Sequence, residues 1–231
     1  MTSSPSELPR IWRRLAWLGI FAVAMGLLEA ICVIYLRRLL PDLAAGAHVP
    51  PLERLRIEVI REACTIVMLV AVAWLGGVNW RSRVACFFYA FGIWDIIYYA
   101  GLWWLANWPG SWLEWDCLFL IPKPWYGPVL APVLISAYFA AACVVLHVWE
   151  IRQTPLRLST VIIGTQVLAG VMWYWSFVKD ADRIRLSGYA GVSYSWTLFV
   201  LGVVVACAGL WLASPGGMRS CASSISEGQP S

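Results

Sequence analysis

Asp95 stands in the middle of an otherwise uncharged apolar run, Val84 to Leu105, and Glu29 holds a similar place in the run Leu15 to Tyr35. A carboxylate at bilayer depth is expensive to bury, so it faces a protein interior or a wet cavity and becomes a candidate for chemistry. Glu62 opens the next apolar run, and Asp116 lies in the loop after Asp95. If these four acids converge, they can hold a divalent cation through oxygen ligands. They can equally relay protons or receive a cationic substrate. Tyr98 and Tyr99 follow Asp95 by three and four residues, on the same helical face, where they can orient the charge. Arg37 and Arg61 are the candidate charge partners. The bland alternative is a structural network in which acids, arginines and tyrosines satisfy one another and fix helix packing. The pattern marks a ligand-binding region and leaves catalytic residues, metal and cofactor unknown.

Hydrophobic residues make up 61% of the 231-residue chain and charged residues 13%. Soluble domains run near half apolar and a quarter charged. The expected fold is therefore all-α, an integral membrane bundle of about six transmembrane helices. The apolar runs place the spans at Leu15 to Tyr35, Ala63 to Val78, Val84 to Leu105, Val129 to Trp149, Leu158 to Val178 and Tyr194 to Ala213. An amphipathic turn at Ile57 leads into the second. Residues 1–14 are expected to be a disordered cytoplasmic N-terminus and 214–231 a disordered C-terminal tail, on their Ser/Pro/Gly-rich polar composition. The first run is too long for a signal-peptide core and ends in Arg37-Arg38 without a cleavage site, so it reads as a retained helix.

Basic residues are balanced between the two sets of loops and do not decide orientation. The short loop Asn79 to Arg83 carries Arg81 and Arg83 and no acid, which favours the cytoplasm for it and for both termini. Glu29, Arg37, Arg61, Glu62, Asp95, Tyr98 and Tyr99 then lie between mid-membrane and the outer surface. The outer loop Asn107 to Pro132 reads NWPGSWLEWDCLFLIPKPWYGPVLAP. Trp108-Pro109 should end the third helix, because a residue before proline leaves the helical region. The apolar stretch Cys117 to Ile121 lies between breakers. It is expected to lie on or dip into the outer interface, either as an aromatic belt with a rigid turn or, in the sharper reading, as a lid over the acid cluster with Asp116 pointing in. Trp94 sits at mid-span beside Asp95 and does not fit an interfacial belt.

Other chemistries find little support. His48 and His147 are too far apart in kind and position to make a metal or haem pair. Seven cysteines are spread singly and read as small apolar packing residues. No P-loop, Rossmann, H-E-x-x-H or G-x-S-x-G phrase occurs. A net charge of +4, scattered along the chain, does not argue nucleic-acid binding. Ala22-Gly26-Ala30, Ser136-Ala140 and Gly202-Ala206 have the small-residue spacing that permits close helix contacts.

The stretches LLEAICVIYLRRL, REACTIVMLVAVAWLGG, FGIWDIIYYAGLW and WPGSWLEWDCLFLIPKPWYGPVLAP resemble a family of uncharacterised bacterial multi-pass membrane proteins. The resemblance runs from about Gly26 to Pro132, and its specific wording is WD-x-x-YY and LFLIP-x-PW-x-GPV. It implies a bacterial origin and little else, and it names no catalytic residue; the apolar runs then place the chain in the inner (cytoplasmic) membrane. The leading expectation is a membrane protein that binds or moves a small molecule, ion or lipid at an acidic site between the first three helices. A structural or assembly subunit of a larger membrane complex, or an intramembrane lipid-processing enzyme, stays open. The lipid bilayer is the one expected partner; protein partners are unknown.

Overall fold

A computed structural model describes residues 8–39, 52–151 and 160–213. The apolar runs become helices: α1 Leu8–Leu39, α2 Leu52–Gly76, α3 Trp80–Ala106, α4 Leu130–Ile151, α5 Thr160–Val178 and α7 Trp196–Ala213. Three of them, over Ile11–Arg38, Leu55–Gly76 and Trp80–Ala106, are long and apolar enough to cross a membrane. The apolar stretches Leu130–Leu146 and Trp196–Leu212 are shorter. Large apolar side chains such as Trp17, Leu28, Val67, Leu75 and Trp103 lie exposed along the three long helices. A surface of that kind needs a lipid or protein cover.

Three features depart from the sequence expectation. Helix α1 begins at Leu8, inside the stretch 1–14 that reads as disordered, because Ile11, Trp12 and Leu15 extend its apolar pattern. The tail 214–231 lies outside the described residues. The fold is not purely helical: β1 Trp115–Phe119 pairs antiparallel with β2 Trp125–Pro128, with a register irregularity between Cys117 and Phe119. A five-residue apolar run between breakers is ambiguous by periodicity alone, and pairing satisfies backbone groups that a lone dipping segment would leave open. A short helix, α6 Ala181–Ser187, was also not foreseen.

The chain divides into two compact units, residues 5–144 with 177–194, and the described parts of 145–176 and 195–231. In the first unit, α1 and α3 run side by side in the same direction. Ala22 and Ala30 are fully buried, and a β-carbon on Gly26 would lie 2.6 Å from the Trp94 carbonyl oxygen. The Ala22-Gly26-Ala30 face thus brings α3 onto α1 beside Glu29. Asn79 and Ser82 cap the start of α3 reciprocally, and Asn107, in the left-handed region at φ 52°, closes its end. Phe119 of the hairpin packs on Trp94 and Phe91, while Trp115, Cys117 and Tyr126 pack with Ala181 and Ile184 of α6. In the second unit α5 and α7 run antiparallel, with Gln166 Nε2 donating to the Ala206 carbonyl at 3.0 Å and Trp173 Nε1 to the Phe199 carbonyl at 3.2 Å.

Candidate functional site

One face of α2 carries Glu58, Arg61, Glu62 and Thr65, spaced as neighbours on a helix. Arg61 is ion-paired with Glu29 of α1, and it also holds Glu58 at 2.8 Å. Thr65 Oγ1 donates to the second Glu29 oxygen at 3.3 Å. Glu62 accepts the Leu120 backbone N–H at 2.9 Å, which pins the hairpin to α2. Glu29, Glu62 and Thr65 are all buried.

The face of α3 supplies the second group. Asp95, 6% exposed, accepts from Ser136 Oγ of α4 at 2.8 Å. Tyr99 Oη donates to Asp116 Oδ2 at 3.0 Å, and Arg37 lies 3.8 Å from Asp116 Oδ1. The Arg37 guanidinium also sits 4.1 Å over the Trp108 ring. Trp108 Nε1 in turn donates to Glu114 at 2.7 Å, and Glu114 accepts from the Gly110 N–H as well. Tyr98 stacks on Trp94, and the Trp94 indole N–H is buried with no hydrogen-bond partner among the described residues.

These groups form one electrostatic neighbourhood. The Asp116 charge acts on Asp95, Tyr98 and Tyr99, both Arg37 and Arg61 act on Tyr98, and Glu58 and Glu62 act on Cys117. They do not meet at one point. Among the described residues no group of three or more His, Cys, Asp or Glu could hold a metal ion. Asp95 turns to Ser136 on α4 rather than to Glu29, so the four acids are held in separate pairings. Both arginines do partner acids, Arg61 with Glu29 and Arg37 with Asp116. Tyr99 makes the hydrogen bond, and Tyr98 contributes a stacked ring. His48 and the His147 side chain lie outside the described residues.

No protein-family model, curated protein or solved structure matches this chain. The chemistry of the site is therefore read from its own residues. Glu58, Ser136 and Trp108 were missed as site members. Glu58 was legible, since it precedes Arg61 by three and Glu62 by four on the same helix. Ser136 carried no signal beyond its small size, because its contact with Asp95 spans 41 residues of chain.

The hairpin groups titrate away from their ordinary values. Burial raises the Asp116 carboxyl, against the opposing pull of Arg37, the Tyr99 hydroxyl and the Cys117 backbone N–H. Burial likewise raises the Cys117 thiol and pushes the Tyr126 hydroxyl up to about 12. A carboxyl raised above its usual 3.8 binds its proton more tightly in the folded state than in the unfolded state. Its contribution is complete below the ordinary value and is lost as pH rises through the raised one. Asp116→Asn should therefore lose less stability than the wild type between about pH 4 and about pH 7. Thermal unfolding in detergent at the two pH values checks this, and an equal loss in both proteins would contradict a burial-dominated Asp116.

Proposed function

We propose that the chain is a multi-pass protein of a bacterial cytoplasmic membrane that binds a small cation, the proton included, at the acid site between α1, α2 and α3. The observation that carries this reading is the charge balance of the site. Five carboxyl groups, on Glu29, Glu58, Glu62, Asp95 and Asp116, share two arginines, Arg37 and Arg61. Surplus negative charge away from water is costly unless it is matched. Protons or a bound cation supply the match. Separate pairing of the acids favours a proton or a monovalent or organic cation over a chelated divalent ion, which wants several oxygens at once. In this reading the hairpin is the cap, held by Glu62 and Tyr99, and both chain termini face the cytoplasm.

A second reading is an assembly subunit, in which the acids serve only to lock helices together. The Arg61 bridge between Glu29 and Glu58 favours it. Asp95 separates the two, because its contact is a serine hydroxyl that the Asn side chain can also satisfy. Asp95→Asn should fold and insert as the wild type does. The purified protein should be stabilised by raising Na⁺, K⁺ or an alkylammonium salt, or by lowering pH, and the variant should lose the salt response and keep only the part of the pH response that Asp116 carries. At a hundredfold excess over Kd the gain amounts to about 2.7 kcal/mol. A wild type indifferent to every cation and to pH, or a variant that responds equally, would leave the assembly reading standing.

A further inference from the structure

The end of this unit where α1 begins, α2 ends and α3 begins has the opposite chemistry. Leu18 packs against Gly76, a β-carbon on Gly77 would meet the Arg83 backbone N, and the Arg14 charge reaches Cys86. The three helix ends therefore lie at one level. Arg13, Arg14 and Arg81 are exposed there and Arg83 is half-buried. No Asp or Glu occurs in residues 8–28 or 63–94, so none of the described residues of these helix ends neutralises the four guanidinium groups. Arg83 is held in place, 3.7 Å over the Trp74 ring and donating to the Gly77 carbonyl at 3.4 Å. Arg81 lies 5.6 Å from the centre of the Trp80 ring.

The tryptophans decide what the anion is. Trp12, Trp17, Trp74 and Trp80 are 47, 66, 60 and 62% exposed, beside exposed Leu75, Val78 and Val84. A soluble anion would satisfy the arginines and leave this apolar surface in water. A phospholipid brings phosphate and acyl chain together. Guanidinium forks match phosphate oxygens in pairs, and indole rings settle at headgroup level.

We propose that this end is a binding surface for anionic phospholipid headgroups, with Arg13, Arg14 and Arg81 taking phosphate oxygens and Arg83 holding Trp74 in place at the interface. The surface is independent of the acid site. Each arginine near an anionic membrane strengthens binding about fivefold.

The full chain in mixed micelles of phosphatidylglycerol and phosphatidylcholine is the test, with native mass spectrometry counting retained lipids. The wild type should retain phosphatidylglycerol in preference. Arg13→Gln/Arg14→Gln/Arg81→Gln should lose that preference while keeping its helical circular dichroism. Raising NaCl from about 0.05 to about 0.5 M should weaken the preference in the wild type, which decides the matter even if the triple variant does not fold. Equal retention of both lipids, a preference kept by a folded triple variant, or one insensitive to salt would overturn the proposal. So would inorganic phosphate alone stabilising the protein as much as phosphatidylglycerol does, because the ligand would then be a free anion.

Discussion

Arg61→Met should lower the unfolding free energy by about 3–5 kcal/mol, the range for removing one partner of a buried ion pair. The size follows from what is left behind. Arg61 reaches Glu29 with one nitrogen and Glu58 with two others, and its side chain is 25% exposed against 10% for Glu29. Methionine keeps much of the volume and removes the charge. Glu29 then keeps only the Thr65 hydroxyl among its described hydrogen bonds, and Glu58 and Glu62 face each other across one helical turn. The companion variant Glu29→Gln/Arg61→Met removes one of the stranded charges and should recover a large part of the loss, a coupling that a double-mutant cycle measures. Unfolding in mixed detergent, monitored by tryptophan fluorescence, gives both numbers. A loss below about 1 kcal/mol, within the range of an exposed pair, would mean that water reaches Arg61 and that the pair is peripheral.

The helical part of this fold was legible because long apolar runs between polar breakers fold as helices. Each expected run has a helix over it, with ends that shift where side chains of mixed character extend the pattern, as Ile11 and Trp12 do for α1, but among the described residues three of the six expected spans are long and apolar enough to cross a membrane. The hairpin was not legible. Its two strands are five and four residues long, shorter than any periodic signal, and Pro122 and Pro124 disguise a strand connection as a rigid turn. The same limit applies to the site. Glu29, Arg61, Glu62, Tyr99 and Asp116 stood out because charge or hydroxyl in an apolar run is conspicuous. Which acid meets which base depends on helix rotation and on the hairpin, and neither is encoded in spacing along one helix. Asp95 is the clearest case. Its place within an apolar run grouped it with Glu29, yet its described partner is a serine on a helix that carries no described charge.

The route from Gly92 to Asp95 leads to the second large effect. A β-carbon on Gly92 would fall on the Ser136 carbonyl oxygen, with the Ala140 backbone N at 3.1 Å. Both obstacles are backbone atoms of α4, so no side-chain rotation relieves them and the two helices must part. Gly92→Ala should cost roughly 1–3 kcal/mol, the usual penalty for overpacking, even though alanine is the better helix former. Gly164 supplies the control. It lies in α5 with nothing within 4 Å of its would-be β-carbon, so Gly164→Ala should be neutral or stabilise by about 0.5–1 kcal/mol. The parting of α3 and α4 also moves Ser136 away from Asp95, whose hydrogen bond spans 2.8 Å. Gly92→Ala should therefore blunt the cation or pH response through Asp95 without changing any charged residue. Gly92→Ala as stable as Gly164→Ala would show that α3 and α4 are not in close contact at this level. Lower stability with an undiminished response would show that Ser136 does not position Asp95, and that the acid works without its partner on α4.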